Sequence, residues 1–265
     1  MPLLITIGLD EHLAERVRGA LDARVVSYPD VPSAWTCDGQ VLIESARVFG
    51  RWLEPDGVVY YSYFENADLT RRALALAETP SFPDVRTTLP HDDRVMSLLL
   101  ASRADGSAPP RGFAPPGQEL RFDGERVFKW SNRHCGDDKA RGDRSFVPTE
   151  PTLIEPYLPG TSERILVVGE RVWHLRYDSA DWRKNVGGTI EVLPTPDPAL
   201  AARGKQTAQR LGLRVVGIDY QITDAGPVLV EVNAYPGITS VPGAEDAFLT
   251  EVVSWWSALV AEKGL

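Results

Sequence analysis

The chain opens on Leu3-Leu4-Ile5-Thr6-Ile7-Gly8, a nearly unbroken apolar run that predicts a strand covered on both faces. Asp10 is placed to N-cap a helix reaching about Leu21, with Leu13, Val17 and Ala20 on one face. Short strands are predicted at Val25–Tyr28 and Val41–Ile43, and a stronger one at Val58–Phe64, before Asp68 opens an Ala/Leu-rich helix to about Glu78. Strands alternating with helices over residues 1–85 predict a small open α/β sheet. Residues 79–90, rich in Pro and Thr, read as a linker, and Asp92-Asp93 precede a helix over Arg94–Ala104. Residues 105–117 carry four prolines and three glycines and read as a loop. Strands follow at Glu125–Trp130 and Leu153–Leu158, the second running into a Pro159-Gly160 turn. Further strands are predicted at Arg164–Val168, Arg171–Tyr177 and Thr189–Leu193, then a helix from Pro198 to Leu211 with Gly212 as its C-cap. Val215–Tyr220 and Val228–Asn233 read as a hairpin around Asp224-Ala225-Gly226, and a helix over about Glu245–Ala261 closes the chain.

Composition narrows the function classes. With 28 Lys and Arg against 37 Asp and Glu, the net charge is −9, which argues against a general nucleic-acid binder. A hydrophobic content of 43% excludes wholesale disorder. No apolar run is long enough to predict a membrane span, and the start of the chain has no basic leader, so a cytoplasmic location is expected. Cys37 and Cys135 give neither a disulfide framework nor a zinc ligand set. Only five basic residues are lysine, so a lysine inside an apolar strand, as at Phe128-Lys129-Trp130, stands out. A cation there is costly unless paired, and a phosphate would pair it; a side chain snorkelling from an edge strand is the alternative.

The last hairpin concentrates oxygen ligands. Glu231 and Asn233 are two apart on one strand and share a face, and pairing around the turn is expected to bring Asp219 to that face. Two carboxylates and an amide suit a hard cation such as Mg²⁺, although an ordinary sheet margin also carries acids.

Gly217-Ile218-Asp219, followed by Glu231-Val232-Asn233-Ala234-Tyr235-Pro236-Gly237, resembles the C-terminal metal motif of the ATP-grasp superfamily. Within it the chain resembles the ribosomal-protein glutamate ligase and glutathione-synthetase-like branch. Val127-Phe128-Lys129 looks like that branch's phosphate-binding strand, Ile154-Glu155-Pro156-Tyr157-Leu158 like its adenine hinge, and Trp182-Arg183-Lys184-Asn185-Val186-Gly187-Gly188 like its Arg-x-Asn loop. The resemblance spans about residues 90–245. It implies an α/β fold with mixed α+β content: an ATP-grasp domain at 86–265, with a lid at about 90–155 and a C-terminal part at about 156–265, after the small N-terminal domain at 1–85.

The resemblance also implies roles. Lys129 binds the α- and β-phosphates. Glu155, Tyr157 and Leu158 hold the adenine, and the Leu158 N–H is the expected donor because Pro156 has none. Glu163 takes the place of a ribose-binding acid. Arg176, Arg183 and Asn185 face the reacting carboxyl and the γ-phosphate. Arg94 stands where the superfamily usually has a second ATP lysine, and Asn132–Lys139 replaces a glycine-rich phosphate loop with a single glycine. Residues 132–144, charged and with no aliphatic side chain larger than Ala140, are expected to be mobile without ligand. Asp219, Glu231 and Asn233 would hold Mg²⁺, with Mn²⁺ as an alternative occupant. The implied activity is ATP-dependent ligation of a small-molecule or peptide carboxylate to an amine through an acylphosphate. A kinase on the same fold and a non-catalytic nucleotide binder are the competing readings. A homodimer is the expectation for the assembly.

Overall fold

The computed structural model describes residues 1–62, 68–130, 138–183 and 187–265. In chain order the elements begin with β1 (Leu3–Ile7), α1 (Glu11–Ala20), β2 (Arg24–Tyr28), β3 (Ala34–Cys37), β4 (Gln40–Glu44), β5 (Trp52–Leu53), β6 (Gly57–Tyr60), α2 (Asp68–Leu76), β7 (Ser81–Phe82), α3 (Val85–Thr88) and α4 (Arg94–Asp105). Then come β8 (Gly112–Ala114), β9 (Leu120–Arg121), β10 (Arg126–Trp130), β11 (Lys139–Gly142), β12 (Ser145–Phe146) and β13 (Thr152–Pro156). The last group is β14 (Thr161–Val168), β15 (Arg171–Asp178), β16 (Thr189–Val192), α5 (Pro198–Leu211), β17 (Val215–Thr223), β18 (Gly226–Asn233) and α6 (Ala244–Lys263).

The apolar run at β1 is explained by its neighbours. It pairs in parallel with β2 and β6, and β7 extends the sheet beyond β6. Leu4, Val59 and Phe82 pack with α1 and α6 on one face, while Ile5, Ile7 and Tyr60 bury into a second cluster on the other. Asp10 caps α1 by accepting from the Leu13 N–H.

An antiparallel sheet in the order β11-β10-β13-β8 follows, and a larger antiparallel sheet runs β16-β15-β14-β17-β18. Ile165, Ile218 and Tyr220 cluster with Leu200 and Ala208 of α5 and Ala101 of α4, while Leu166, Val168, Trp173 and Val215 cluster with Phe248, Val252 and Trp256 of α6. Gly204 lets α5 come close, since a Cβ there would lie 2.6 Å from Ile165 Cγ2.

Several sequence expectations change. Residues 79–90 are no linker: Ser81 and Phe82 are buried in the first sheet, and α3 is capped by Asp84. The Pro/Gly stretch at 105–117 contains β8, paired to β13. The fourth strand ends at Tyr60, and residues 63–67 lie outside the described residues. Part of the segment expected to be mobile is a strand: Lys139–Gly142 pairs with β10, while residues 131–137 lie outside the described residues. Short polar strands with no apolar alternation gave no signal of their own.

Candidate active site

A cleft lies between β10, β11 and β13 above and the β14, β15, β17 and β18 face below. Lys129, Lys139, Glu155, Tyr157, Leu158, Arg183, Asp219 and Glu231 all line it.

The acidic side depends on one irregularity. Thr223 pairs with Gly226 and Tyr220 with Leu229, but Asp219 pairs with Glu231. Continued without interruption, the register would set Asp219 opposite Val230 and turn Glu231 to the other face. A bulge at Val230 slips the pairing by one residue, so Asp219, Glu231 and Asn233 share the cleft face. Asp219 accepts two hydrogen bonds from Arg164, at 2.5 and 2.8 Å, and one from Asn233 Nδ2 at 3.0 Å. Burial opposes the Arg164 charge, but the pull of Asp219 outweighs it and the guanidinium pKa is raised. Two carboxylates and an amide, with no soft donor among them, fit a hard divalent cation. Coordination through the Asn233 oxygen would require its amide to turn, because its nitrogen now faces Asp219.

The cationic side is assembled across β10 and β11. Lys129 and Lys139 are direct cross-strand partners, a like-charge pair that costs stability unless anions sit nearby. Lys129 pairs with Glu155, whose second oxygen lies 3.2 Å from Arg111 Nε; all three side chains are at most 6% exposed. The expectation of a lysine unpaired until phosphate arrives is therefore corrected: Glu155 already neutralises it. Lys139 Nζ lies 3.9 Å from Glu231. Its pKa is pushed down by burial, and Lys129 and Arg94 add to that while Glu231 and Glu155 oppose it. Arg94 is buried and donates to the Trp130 carbonyl at 3.1 Å. An anion entering here would relieve the mutual repulsion of three cations.

At the hinge, the Tyr157 N–H is taken by the Glu125 carbonyl at 3.0 Å, and Pro156 has no N–H. The Leu158 N–H has no hydrogen-bond partner among the described residues. Gly160, at φ 140°, lets the chain turn into β14; a Cβ there would lie 2.0 Å from the Ile222 carbonyl oxygen.

Two expected site residues do not face the cleft. Strand alternation along β14 turns Ser162 and Arg164 inward and Glu163 to the opposite face, where it bonds His174 Nε2 at 2.7 Å and Arg176 Nε at 3.1 Å. Glu163 and Arg176 are thus each other's partners, and neither is placed to touch ribose or the γ-phosphate. Arg183 does line the cleft and is held by Asp181. Asn185 lies outside the described residues. Sequence reading missed Arg111, Arg164, Ser162 and Gln221. Arg164 was detectable only through its register with Asp219. Arg111 sits in the Pro/Gly stretch and carries no local signal; it reaches Glu155, Ser102 Oγ at 3.1 Å and the Val230 carbonyl at 3.2 Å.

No family model matches the chain. A RimK-domain ATP-grasp protein from Sphaerobacter thermophilus superposes with a TM-score of 0.64 at 18% identity, covering 96% of this chain and 98% of the other. An ATP-grasp ligase associated with ribosomally made peptides in Chryseobacterium gregarium, solved with ADP and a leader and core peptide, gives 0.64 at 13% identity over 96% and 97%. The chain has the ATP-grasp fold. It is also similar in sequence to a probable alpha-L-glutamate ligase of Chromohalobacter salexigens, 34% identical over 101 residues. That match spans 35% of this chain and 33% of the relative, so the chain covers about a third of the length of the curated relatives it matches. Within the ATP-grasp fold, the cleft described here lies between the smaller antiparallel sheet and the larger one.

Proposed function

We propose that the chain is an ATP-dependent carboxylate–amine ligase. The observation that carries this reading is the convergence of three features on one cleft: the Leu158 amide, the cations Lys129 and Lys139, and the Asp219–Glu231 pair, with Arg94 in an adjoining pocket that shares Lys129 and Glu231. Adenine packs at the hinge and accepts from the Leu158 N–H. The triphosphate runs toward the cations, which stabilise charge that develops in the transition state. Asp219, Glu231 and Asn233 would hold a magnesium ion, which would supply further neutralisation of the phosphates. A substrate carboxylate oxygen attacks the γ-phosphorus, the bond to the β-phosphate bridging oxygen breaks, and ADP leaves behind an acylphosphate. The amine then attacks the acyl carbon and phosphate departs, leaving an amide. In this reading Arg183, which lines the cleft, meets the acid together with Asn185, two positions further along the sequence.

Residues 86–265 form the ATP-grasp unit in this reading, after the small N-terminal α/β domain at residues 1–85. The net charge of −9 favours small-molecule or peptide substrates over nucleic acid. Among the described residues no helix is long and apolar enough to cross a membrane, which is compatible with work in the cytoplasm.

The test is ADP release in a pooled screen of carboxylic acids and amines. Ligation predicts release that requires both and yields an amide with free phosphate. Release with a hydroxyl compound alone, leaving a stable phosphate ester, would replace the ligase with a kinase.

A further inference from the structure

The cleft face of the larger sheet is arranged in rows across its strands. Arg164, Asp219 and Glu231 are register partners in one row. Two residues along the strands, roughly 7 Å nearer the hinge, Tyr177, Ser162 and Gln221 are register partners in the next row. All three line the cleft. A nucleotide with its base at Leu158 and its phosphates at the Asp219 row must lay its sugar over this second row. The Gln221 amide reaches under the hinge turn, where a Cβ on Gly160 would come 3.4 Å from its Nε2. The row holds a hydroxyl, an amide and a phenol, and no carboxylate. The neighbouring acid, Glu163, is committed to His174 and Arg176 on the far face.

We propose that Ser162 and Gln221 form an uncharged ribose-reading pair that sets the nucleotide's sugar specificity. This rests on the ATP reading above. A carboxylate can only accept from a sugar hydroxyl, whereas a serine hydroxyl and a glutamine amide both donate and accept. Ribose hydroxyls also do both, so each can be matched without burying another negative charge beside Asp219 and Glu231. Neutral hydrogen bonds of this kind discriminate modestly, on the order of a few-fold to tenfold each.

The experiment is calorimetric titration of the full chain with Mg·ATP and with Mg·2′,3′-dideoxy-ATP. The wild-type protein is expected to bind ATP about tenfold or more tightly than the dideoxy analogue. The Ser162→Ala/Gln221→Leu double variant, folded by thermal melt, is expected to bind both nucleotides at the affinity of the analogue. Glu163→Gln is expected to keep the wild-type ratio, with any loss confined to melting temperature. A double variant that still prefers ATP, or a Glu163→Gln variant that loses the preference, overturns the ribose assignment while the ATP reading stands. Wild-type protein that binds neither nucleotide overturns both.

Discussion

Glu231 carries one charge of the acidic pair and lines the cleft beside Lys139. Glu231→Gln keeps the shape and deletes the charge. Turnover is expected to fall by roughly 100- to 1,000-fold, the scale of losing one preorganised charge-stabilising group. The melting temperature should stay within a degree or two of wild type by calorimetry; near-normal turnover would refute the acidic pair. Lys129 differs because it is already paired. Lys129→Met leaves Glu155 buried with Arg111 alone, so unliganded stability should drop by about 1 to 3 kcal/mol. ATP affinity should weaken by about 2 to 5 kcal/mol, because a desolvated charge contact is lost. Urea unfolding and calorimetric titration measure the two terms separately, and a more stable variant would contradict the Lys129–Glu155 pair.

At the scale of elements, α4 and the turn before it are joined by a buried imidazole. His91 is 5% exposed, and its Nδ1 lies 3.0 Å from Ser97 Oγ in the second turn of α4. Burial pulls its pKa down from 6.5 to about 4. The unfolded chain therefore takes up a proton at a higher pH than the folded one does. This contribution to stability is full above about pH 6.5 and is lost as pH falls toward 4, by about 3 kcal/mol in total. Urea unfolding at pH 7, 5.5 and 4 should show the decline, and His91→Gln should flatten that part of it. An unchanged slope in the variant would mean that other groups govern acid stability. The loss would loosen the start of α4, which carries Arg94 into the cation cluster.

At the scale of the molecule, two sheets face each other across a cleft lined by charges of both signs. Lys129 and Lys139 stand directly opposite each other on the upper sheet, while Glu231 reaches toward Lys139 from the lower. Under the proposed function, a nucleotide with magnesium would bridge the two sheets and exclude water from the reacting phosphate. Hydrogen exchange over Lys139–Gly142 and Arg126–Trp130 should slow when ATP and Mg²⁺ are added, with β1 and β6 unchanged. Equal exchange with and without nucleotide would remove the closing role of the upper sheet. The lower sheet is anchored by α5 on one face and α6 on the other, so closure is expected in the upper sheet's strands.

Local pattern was enough for much of this protein. The apolar runs of β1 and β6, the capped helix α1, the Pro198-to-Gly212 helix and the final hairpin are all legible because period and capping are properties of neighbouring residues. The residue types that line the cleft were legible: a lysine in an apolar strand, a proline without an N–H beside Leu158, and acids spaced by two. What needed the tertiary structure was direction and partnership. The period of a strand says that Ser162 and Glu163 point apart, but not which of them faces the cleft. Only the packing of α5 against one side of the sheet decided that, turning Glu163 and Arg176 away together. The bulge at Val230 is invisible in sequence, yet without it Glu231 would face the wrong side. Arg111 reaches Glu155 across 44 positions of chain, and Arg164 reaches Asp219 across 55. Such pairs are fixed by how strands align in space, and no local pattern encodes a partner that distant.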